Sequence, residues 1–361
     1  MHLASLDVFE FKSHEAGNFR FSPHINGLLG PNGAGKTNLL DAIHHLCLGR
    51  SAFSPIDRHQ VRHGAAFYLV KGRFEAEGGS RAETVSCSYD APSKRKTLQL
   101  DGKAYERISD HLGRFPVVFM SPLDADLVRE GSDLRRRYFD SMLGQLRPHY
   151  LGLAIRYNQA LKHRNALLRQ FATQAPDPDL LLPYDQWLID LGRQLSEARR
   201  EALESFLPVF RQHYAQLSRG QEEASLHYQT HALAPGFADQ FRQALDRDLA
   251  LRYTTVGVHR DDYAFQLDGH PLKQVGSQGQ QKSFVVALRL AQFDFMHEQG
   301  GRKPLLLMDD IFDKLDDRRM ERLLTLLTEG HFGQVFITDA RPERSRQLMA
   351  HVSPAPLLQE L

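Results

Sequence analysis

At 361 residues, 42% of them hydrophobic and 25% charged, the chain has the composition of an ordinary globular protein, which excludes a largely disordered or collagen-like one. Its 45 Lys and Arg against 44 Asp and Glu leave a net charge of +1, so a uniformly basic nucleic-acid coat is excluded while a local basic stripe is not. No apolar run approaches the roughly 18 residues of a membrane span, and Asp7 and Glu10 stand where a signal peptide needs an apolar core; a cytoplasmic protein without a membrane partner is expected.

The first 120 residues read as a strand-rich α/β segment. Val8, Phe9 and Phe11, then Phe19 and Phe21, sit among polar residues as in short strands. Ile25–Leu29 is a short apolar run ending in glycine, and Tyr68–Phe74, Thr84–Tyr89 and Thr97–Leu100 are further strands, punctuated by Gly78-Gly79, Pro92 and Asp101-Gly102. Val117–Met120 is another, stopped by Ser121-Pro122. Cys47 and Cys87 are too few for a disulfide framework and wrongly spaced for zinc.

Helical periodicity then takes over. Leu153, Tyr157, Ala160, Arg164, Leu167 and Phe171 form one seam between Leu151 and Phe171, and the prolines at 176 and 178 break it. Tyr184, Leu188, Leu191, Leu195, Ala198 and Ala202 form a second seam, which Pro208 is expected to kink or end. Two such helices make either a stubby antiparallel arm of about 30 Å or a helical subdomain with its own core. From about Ala224 the α/β texture returns. Leu305–Met308 is a continuous apolar strand of the doubly covered kind, followed by a leucine-rich helix over 323–327 and a strand over Val335–Thr338. The expected plan is an α/β head made of residues 1–120 and 224–361 with a helical insertion over 121–223.

Three elements carry chemistry. Gly30-Pro31-Asn32-Gly33-Ala34-Gly35-Lys36-Thr37 matches the phosphate-binding pattern G-x-x-x-x-G-K-[ST], between an apolar strand and a helix bearing Leu39, Leu40, Ile43 and Leu46. Its glycines let successive amides face one anion, and the helix N-terminus adds partial positive charge. Lys36 should reach the β- and γ-phosphates and Thr37 should bind Mg²⁺; the plain alternative is a glycine-rich turn. Asp309 and Asp310 end the apolar strand at 305–308. At the carboxyl end of a parallel sheet, Asp309 suits a Mg²⁺ ion through water, and Asp310 suits orientation or deprotonation of an attacking water; alone, the pair is also what a solvated acidic turn looks like. Gly276-Ser277-Gln278-Gly279-Gln280-Gln281-Lys282 opens a helix 32 residues before Asp309. As a string it is a polar cap, but it is also a second anion cradle, and two cradles in one chain imply that two copies share each nucleotide.

Together these elements resemble the ATP-binding cassette superfamily. The 241 positions between Lys36 and Ser277, with helices inside them, look like its SMC-type DNA-repair branch. Within that branch the chain is similar to the RecF family of bacterial recombination mediators from about Leu3 to Ala340. The likeness rests on residues 30–43, Leu48-Gly-Arg50-Ser51, Arg135–Arg137 with Asp140, His259–Asp262, Ser277–Lys282, Asp309-Asp310 and Leu315-Asp316. It implies ATP and Mg²⁺ as cofactors, bound by Gly30–Thr37, with Lys36, Asp309 and Asp310 in hydrolysis. It also implies contact of Ser277, Gly279 and Gln280 with the γ-phosphate held by the opposite subunit, and a D-loop at Leu315-Asp316. Lys314 replaces an acid often found before that leucine, and Thr338-Asp339 stands where a switch histidine is usual; both point to slow hydrolysis. The implied partners are a second copy, duplex, gapped or single-stranded DNA, RecR and RecO, and functionally RecA in gap repair, replication restart and the SOS response. Competing readings are a nucleotide-gated scaffold without essential hydrolysis and a transporter ATPase subunit, which membrane fractionation would reveal.

The DNA candidate is the stretch from Ser141 to Gln174, which holds no acid but carries Arg147, Arg156, Lys162, Arg164 and Arg169. Five phosphate contacts give steeply salt-dependent binding, although a basic run is also an ordinary solvated face. Tyr150 and Tyr157 fall at core spacing, and Arg135–Arg137 is open to nucleotide, DNA or the neighbouring Asp133 and Asp140.

Overall fold

The computed structural model describes residues 1–76, 81–171, 177–218, 220, 222–311, 317–350 and 352–361. In chain order the first 125 residues supply β1 (His2–Phe11), β2 (His14–Arg20), β3 (Ile25–Leu29), α1 (Lys36–Leu48), β4 (Phe67–Glu75), β5 (Glu83–Asp90), β6 (Arg95–Leu100), β7 (Lys103–Ala104) and β8 (Val117–Met120). Next come α2 (Asp126–Arg129), α3 (Ser132–Leu146), α4 (Pro148–Gln170), α5 (Leu182–Ser218) and β9 (Ala224–Gln229). These are followed by α6 (Phe237–Gln243), α7 (Leu245–Leu251), β10 (Asp262–Leu267), β11 (His270–Pro271) and α8 (Leu272–Val275). The rest is α9 (Gln278–Gly300), β12 (Leu305–Met308), α10 (Asp317–Thr328), β13 (Val335–Asp339), α11 (Pro342–Met349) and β14 (Leu357–Glu360). Two compact units result: Met1–Ala125 with Lys282–Leu361, and Asp126–Gln281. In this division residues 224–281, with the helix start at Ser277, group with the helices.

The first unit is a mixed α/β head built from both chain ends. One sheet is antiparallel, ordered β2-β1-β4-β5-β6-β7; the other is parallel, ordered β14-β3-β13-β12-β8. The apolar runs read from the sequence fall on the parallel sheet, where every residue of β3, β8, β12 and β13 is buried. A sheet covered on both faces needs such continuous runs rather than alternation. In β1 alternation is interrupted twice. A bulge between Leu3 and Ser5 keeps Leu3, Leu6 and Val8 buried together, and Glu10, at φ 50°, resets the phase so that Phe11 is fully buried while Phe9 is exposed. These side chains pack with Leu39, Ile43 and Leu46 of α1 into one core.

In the second unit, α3, α4 and α5 pack with the three-stranded sheet β11-β10-β9. The two seams lie largely inside: Leu153, Tyr157, Ala160 and Arg164 of α4 and Leu188, Leu191, Leu195 and Ala202 of α5 are buried, whereas Leu167, Phe171, Tyr184 and Ala198 are half-buried and Leu168, outside the expected seam, is buried instead. Of the two outcomes expected at Pro208, an end to the helix is corrected, because α5, 37 residues long, continues past it. Phe206 and Phe210 flank the proline, both fully buried, with Phe206 edge-on to Phe139 and Phe210 against Tyr214. That burial offsets the lost backbone hydrogen bond, a cost of about 3 kcal/mol in an unsupported helix. Among the described residues no helix is long and apolar enough to cross a membrane.

Candidate nucleotide site

The parallel sheet brings β3, β13 and β12 side by side, so the residues leaving their carboxyl ends converge. From β3 the chain enters the glycine loop with Gly30, Gly33 and Gly35 at φ 152°, 90° and 95°, a region that favours glycine. Gly35, which caps α1, has a second reason to be glycine. A Cβ there would lie 2.8 Å from the His14 ring and from Ser13 Oγ. The tip of the β1–β2 hairpin thus rests on the loop, with His14 Nε2 3.1 Å from Gly35 O and Asn38 Nδ2 donating to Ser13 Oγ at 2.8 Å. Below it Lys12 pairs with the buried Asp41 at 2.5 Å, and Asp41 also accepts from Ser51 Oγ and Ala52 N. This anchors α1 and accounts for Asp41 and Ser51 in the recognised pattern. The hairpin tip was not legible in the sequence, because nothing local links residues 12–14 to residue 35.

Lys36 is almost fully buried, and its ammonium donates to Gly30 O at 2.8 Å and Pro31 O at 2.9 Å. It spans the loop, whose Pro31, Asn32 and Gly33 face solvent and whose Ala34 N–H turns back to Pro31 O. Thr37 Oγ1 donates to both carboxylate oxygens of Asp309, at 2.8 and 3.0 Å. Two residues 272 positions apart, each in its own sequence motif, therefore meet side chain to side chain. Thr338 completes the cluster: its hydroxyl donates to Asp309 Oδ1 at 2.8 Å and accepts the Asp310 N–H at 2.9 Å. The residue standing where a switch histidine was expected is thus a buried strut between the two aspartates. Asp310 takes φ 46°, a left-handed conformation that aspartate tolerates better than most residues. Burial raises the Asp309 pKa, while hydrogen bonds from Thr37 and Thr338 and the charge of Lys36 pull it down. A hydroxyl and a carboxylate are hard oxygen donors of the kind Mg²⁺ takes with several waters, so the donor set fits that ion.

Ser277, Gly279 and Gln280 lie in the second unit, at the start of α9. Gly276 before them approaches α8 closely, since a Cβ there would meet Leu272 O at 2.7 Å. The D-loop expectation at Leu315-Asp316 lies outside the described residues. Arg135 and Arg136 fasten α3 to the segment at Asp261-Asp262, whereas Arg137 is exposed and pairs within its own helix. Arg135 forks onto Asp262 at 2.7 and 2.9 Å, Arg136 donates to Asp261 O at 2.5 Å, and Arg137 pairs with Asp133 at 2.6 Å. Asp140, the other acid considered beside the cluster, pairs instead with the buried Arg199 at 2.9 Å.

The basic stretch needs one correction. Arg164 is fully buried, bonded to Asp185 and Asp248 at 2.6 Å each and to Thr254 at 2.9 Å, so it is no surface cation. Arg156, Lys162 and Arg169 are exposed on α4 with His149 and His163, whereas Tyr150 and Tyr157 are buried.

A glycine loop and an aspartate pair at the carboxyl edge of a parallel sheet, in a head built from both chain ends, define a P-loop ATPase head of the ABC/SMC type. Residues 2–353 match the RecF/RecN/SMC N terminal domain. The DNA replication and repair protein RecF of Flavobacterium johnsoniae is 42% identical over 97% of both chains, and that of Cytophaga hutchinsonii is 41% identical over 96% of this chain and 91% of its own. The solved structure of the recombination mediator protein RecF-ATP in the RecFOR pathway superposes with a TM-score of 0.86 at 27% identity, over 94% of this chain and 92% of that one. An Smc head bound to the C-winged helix domain of ScpA matches in fold, with a TM-score of 0.57 at 16% identity. The chain belongs to the RecF family.

Proposed function

We propose that the protein is an ATP-gated DNA clamp acting in the cytoplasm. The observation that carries this reading is the Thr37–Asp309–Thr338 cluster beside a loop whose lysine spans its own carbonyls. In this reading Gly30–Thr37 cradle the triphosphate and Lys36 moves from loop carbonyls to the β- and γ-phosphates. Thr37 and Asp309 hold Mg²⁺, which when bound neutralises phosphate charge. Asp310 orients the attacking water. Ser277, Gly279 and Gln280 grip the γ-phosphate carried by a second copy, so ATP joins two subunits. The closed dimer holds duplex, gapped or single-stranded DNA, and hydrolysis, slow and stimulated by DNA, releases it. Family membership and the likeness to a RecFOR-pathway structure support work with RecR and RecO in loading RecA during gap repair, replication restart and the SOS response.

The shared nucleotide is tested at Ser277. The Ser277→Arg variant is expected to bind ATP with wild-type affinity yet remain monomeric in light scattering, since a long cation at this exposed helix start blocks approach of a partner. Normal ATP-dependent dimerisation would overturn the assignment. The DNA face is tested with the exposed cations only. Arg156→Glu with Arg169→Glu should weaken DNA binding and lower the salt slope by about 2, at roughly 0.9 per lost phosphate contact. An unchanged slope moves the DNA site off α4.

A further inference from the structure

The first turn of α9 is closed on itself. Gln280 N–H donates to Ser277 Oγ at 3.2 Å, and Gln280 Oε1 accepts the Ser277 N–H at 2.6 Å, the reciprocal pattern of an S-x-x-Q capping box. The far end of the same amide is held too. Gln280 Nε2 donates to Glu222 Oε1 at 2.6 Å, and Tyr214 OH donates to Glu222 Oε2 at 2.7 Å. Tyr214 is buried near the end of α5, Glu222 is half-buried just before β9, and Ser277 is exposed.

The chemistry of these groups fixes their orientation. A carboxylate only accepts, so it can hold the Gln280 amide only by its NH₂ end, which turns Oε1 toward the Ser277 N–H. A phosphate also only accepts. It needs donors that the box commits elsewhere: the Ser277 N–H, spent on Gln280 Oε1, and the Gln280 NH₂, one of whose two N–H groups is spent on Glu222. A γ-phosphate taking the second N–H would set two anions against each other on one amide, and their like charges make Glu222 and the phosphate compete for it.

We infer that Glu222, itself held by Tyr214, is a positioning residue that latches the Ser277–Gln280 helix start shut and must release Gln280 before a partner's γ-phosphate is gripped. This rests on the shared-nucleotide reading. Because Tyr214 belongs to α5, the latch also ties the end of that long helix to the phosphate-gripping turn.

Two measurements on the full chain separate the latch from the reading beneath it. The first is amide hydrogen exchange over residues 276–281 without nucleotide, where loss of the latch opens the box. The second is ATP-dependent dimerisation by analytical ultracentrifugation. Glu222→Ala should raise the exchange rate and lower the protein concentration for half-dimerisation, each by about 10-fold, the scale of one charge-assisted hydrogen bond, with ATP affinity of the monomer unchanged. Glu222→Gln, whose carbonyl can still accept from Gln280 and whose NH₂ can donate to the Tyr214 hydroxyl but which carries no charge, should fall between. Tyr214→Phe keeps the ring and should shift both readouts in the same direction by less, which covers the case that Glu222→Ala misfolds. Unchanged exchange in both Glu222→Ala and Tyr214→Phe overturns the latch by itself. Faster exchange with unchanged or weaker dimerisation overturns the competition between the two anions. Faster exchange in a protein whose wild type never dimerises with ATP overturns the shared nucleotide, and the gripping step with it.

Discussion

Replacing Lys36 with alanine is expected to reduce ATP affinity by about 100-fold or more and to abolish ATP-dependent dimerisation. The side chain is 5% exposed and its ammonium bonds two loop carbonyls, at Gly30 and Pro31. Its removal therefore has two effects. The triphosphate loses a charged donor, worth about 1.5–3 kcal/mol for a hydrogen bond to an ion, and the loop loses the strut that holds its carbonyls in place. Titration of a fluorescent ATP analogue reads the first effect directly. Retained affinity with normal dimerisation would mean that the triphosphate sits elsewhere.

The second large effect is on stability. Arg164→Ala should destabilise the protein by about 3–5 kcal/mol, the range for breaking a buried ion pair from one side. The guanidinium is fully buried between Asp185 and Asp248 and lies over the Phe241 ring at 5.0 Å. Without it two carboxylates from different helices face each other in the core. Burial already raises the Asp185 pKa, with Arg164 the main influence pulling it down, so the variant should also gain protons at this site on folding. Urea unfolding measures the loss. Arg156→Ala on the exposed side of the same helix should stay within about 0.5 kcal/mol of wild type, and equal losses at the two positions would refute the burial argument.

Arg164 also marks what the sequence left unread. Its place on an apolar seam with Leu153, Tyr157 and Ala160 was visible, yet its charge assigned it to the surface stretch. The partners that make burial tolerable stand 21 and 84 residues away, and periodicity carries no information about them. The glycine loop and the strand ending at Asp309 were legible as local structure because both depend on local features: glycines where φ is positive, and an unbroken apolar run before an acid. Thr338 as the strut between Asp309 and Asp310, and the hairpin tip under Gly35, became visible only with the sheet order. That α5 does not end at Pro208 was illegible for a related reason, since helix propensity is local and the aromatic packing that carries α5 past the proline is not.

The order of the parallel sheet bears on how the protein is made. β3, which feeds the glycine loop, has β13 and β14 as its neighbours, and the Leu361 N–H bonds Leu29 O. Both neighbours are translated some 300 residues after β3 itself. At typical rates of about 5–20 residues per second, the loop spends tens of seconds on the ribosome without the strands that hold its entry in register. A nascent chain therefore cannot hold the entry of the glycine loop in its final register, and that step is deferred until β13 and β14 have emerged from the exit tunnel.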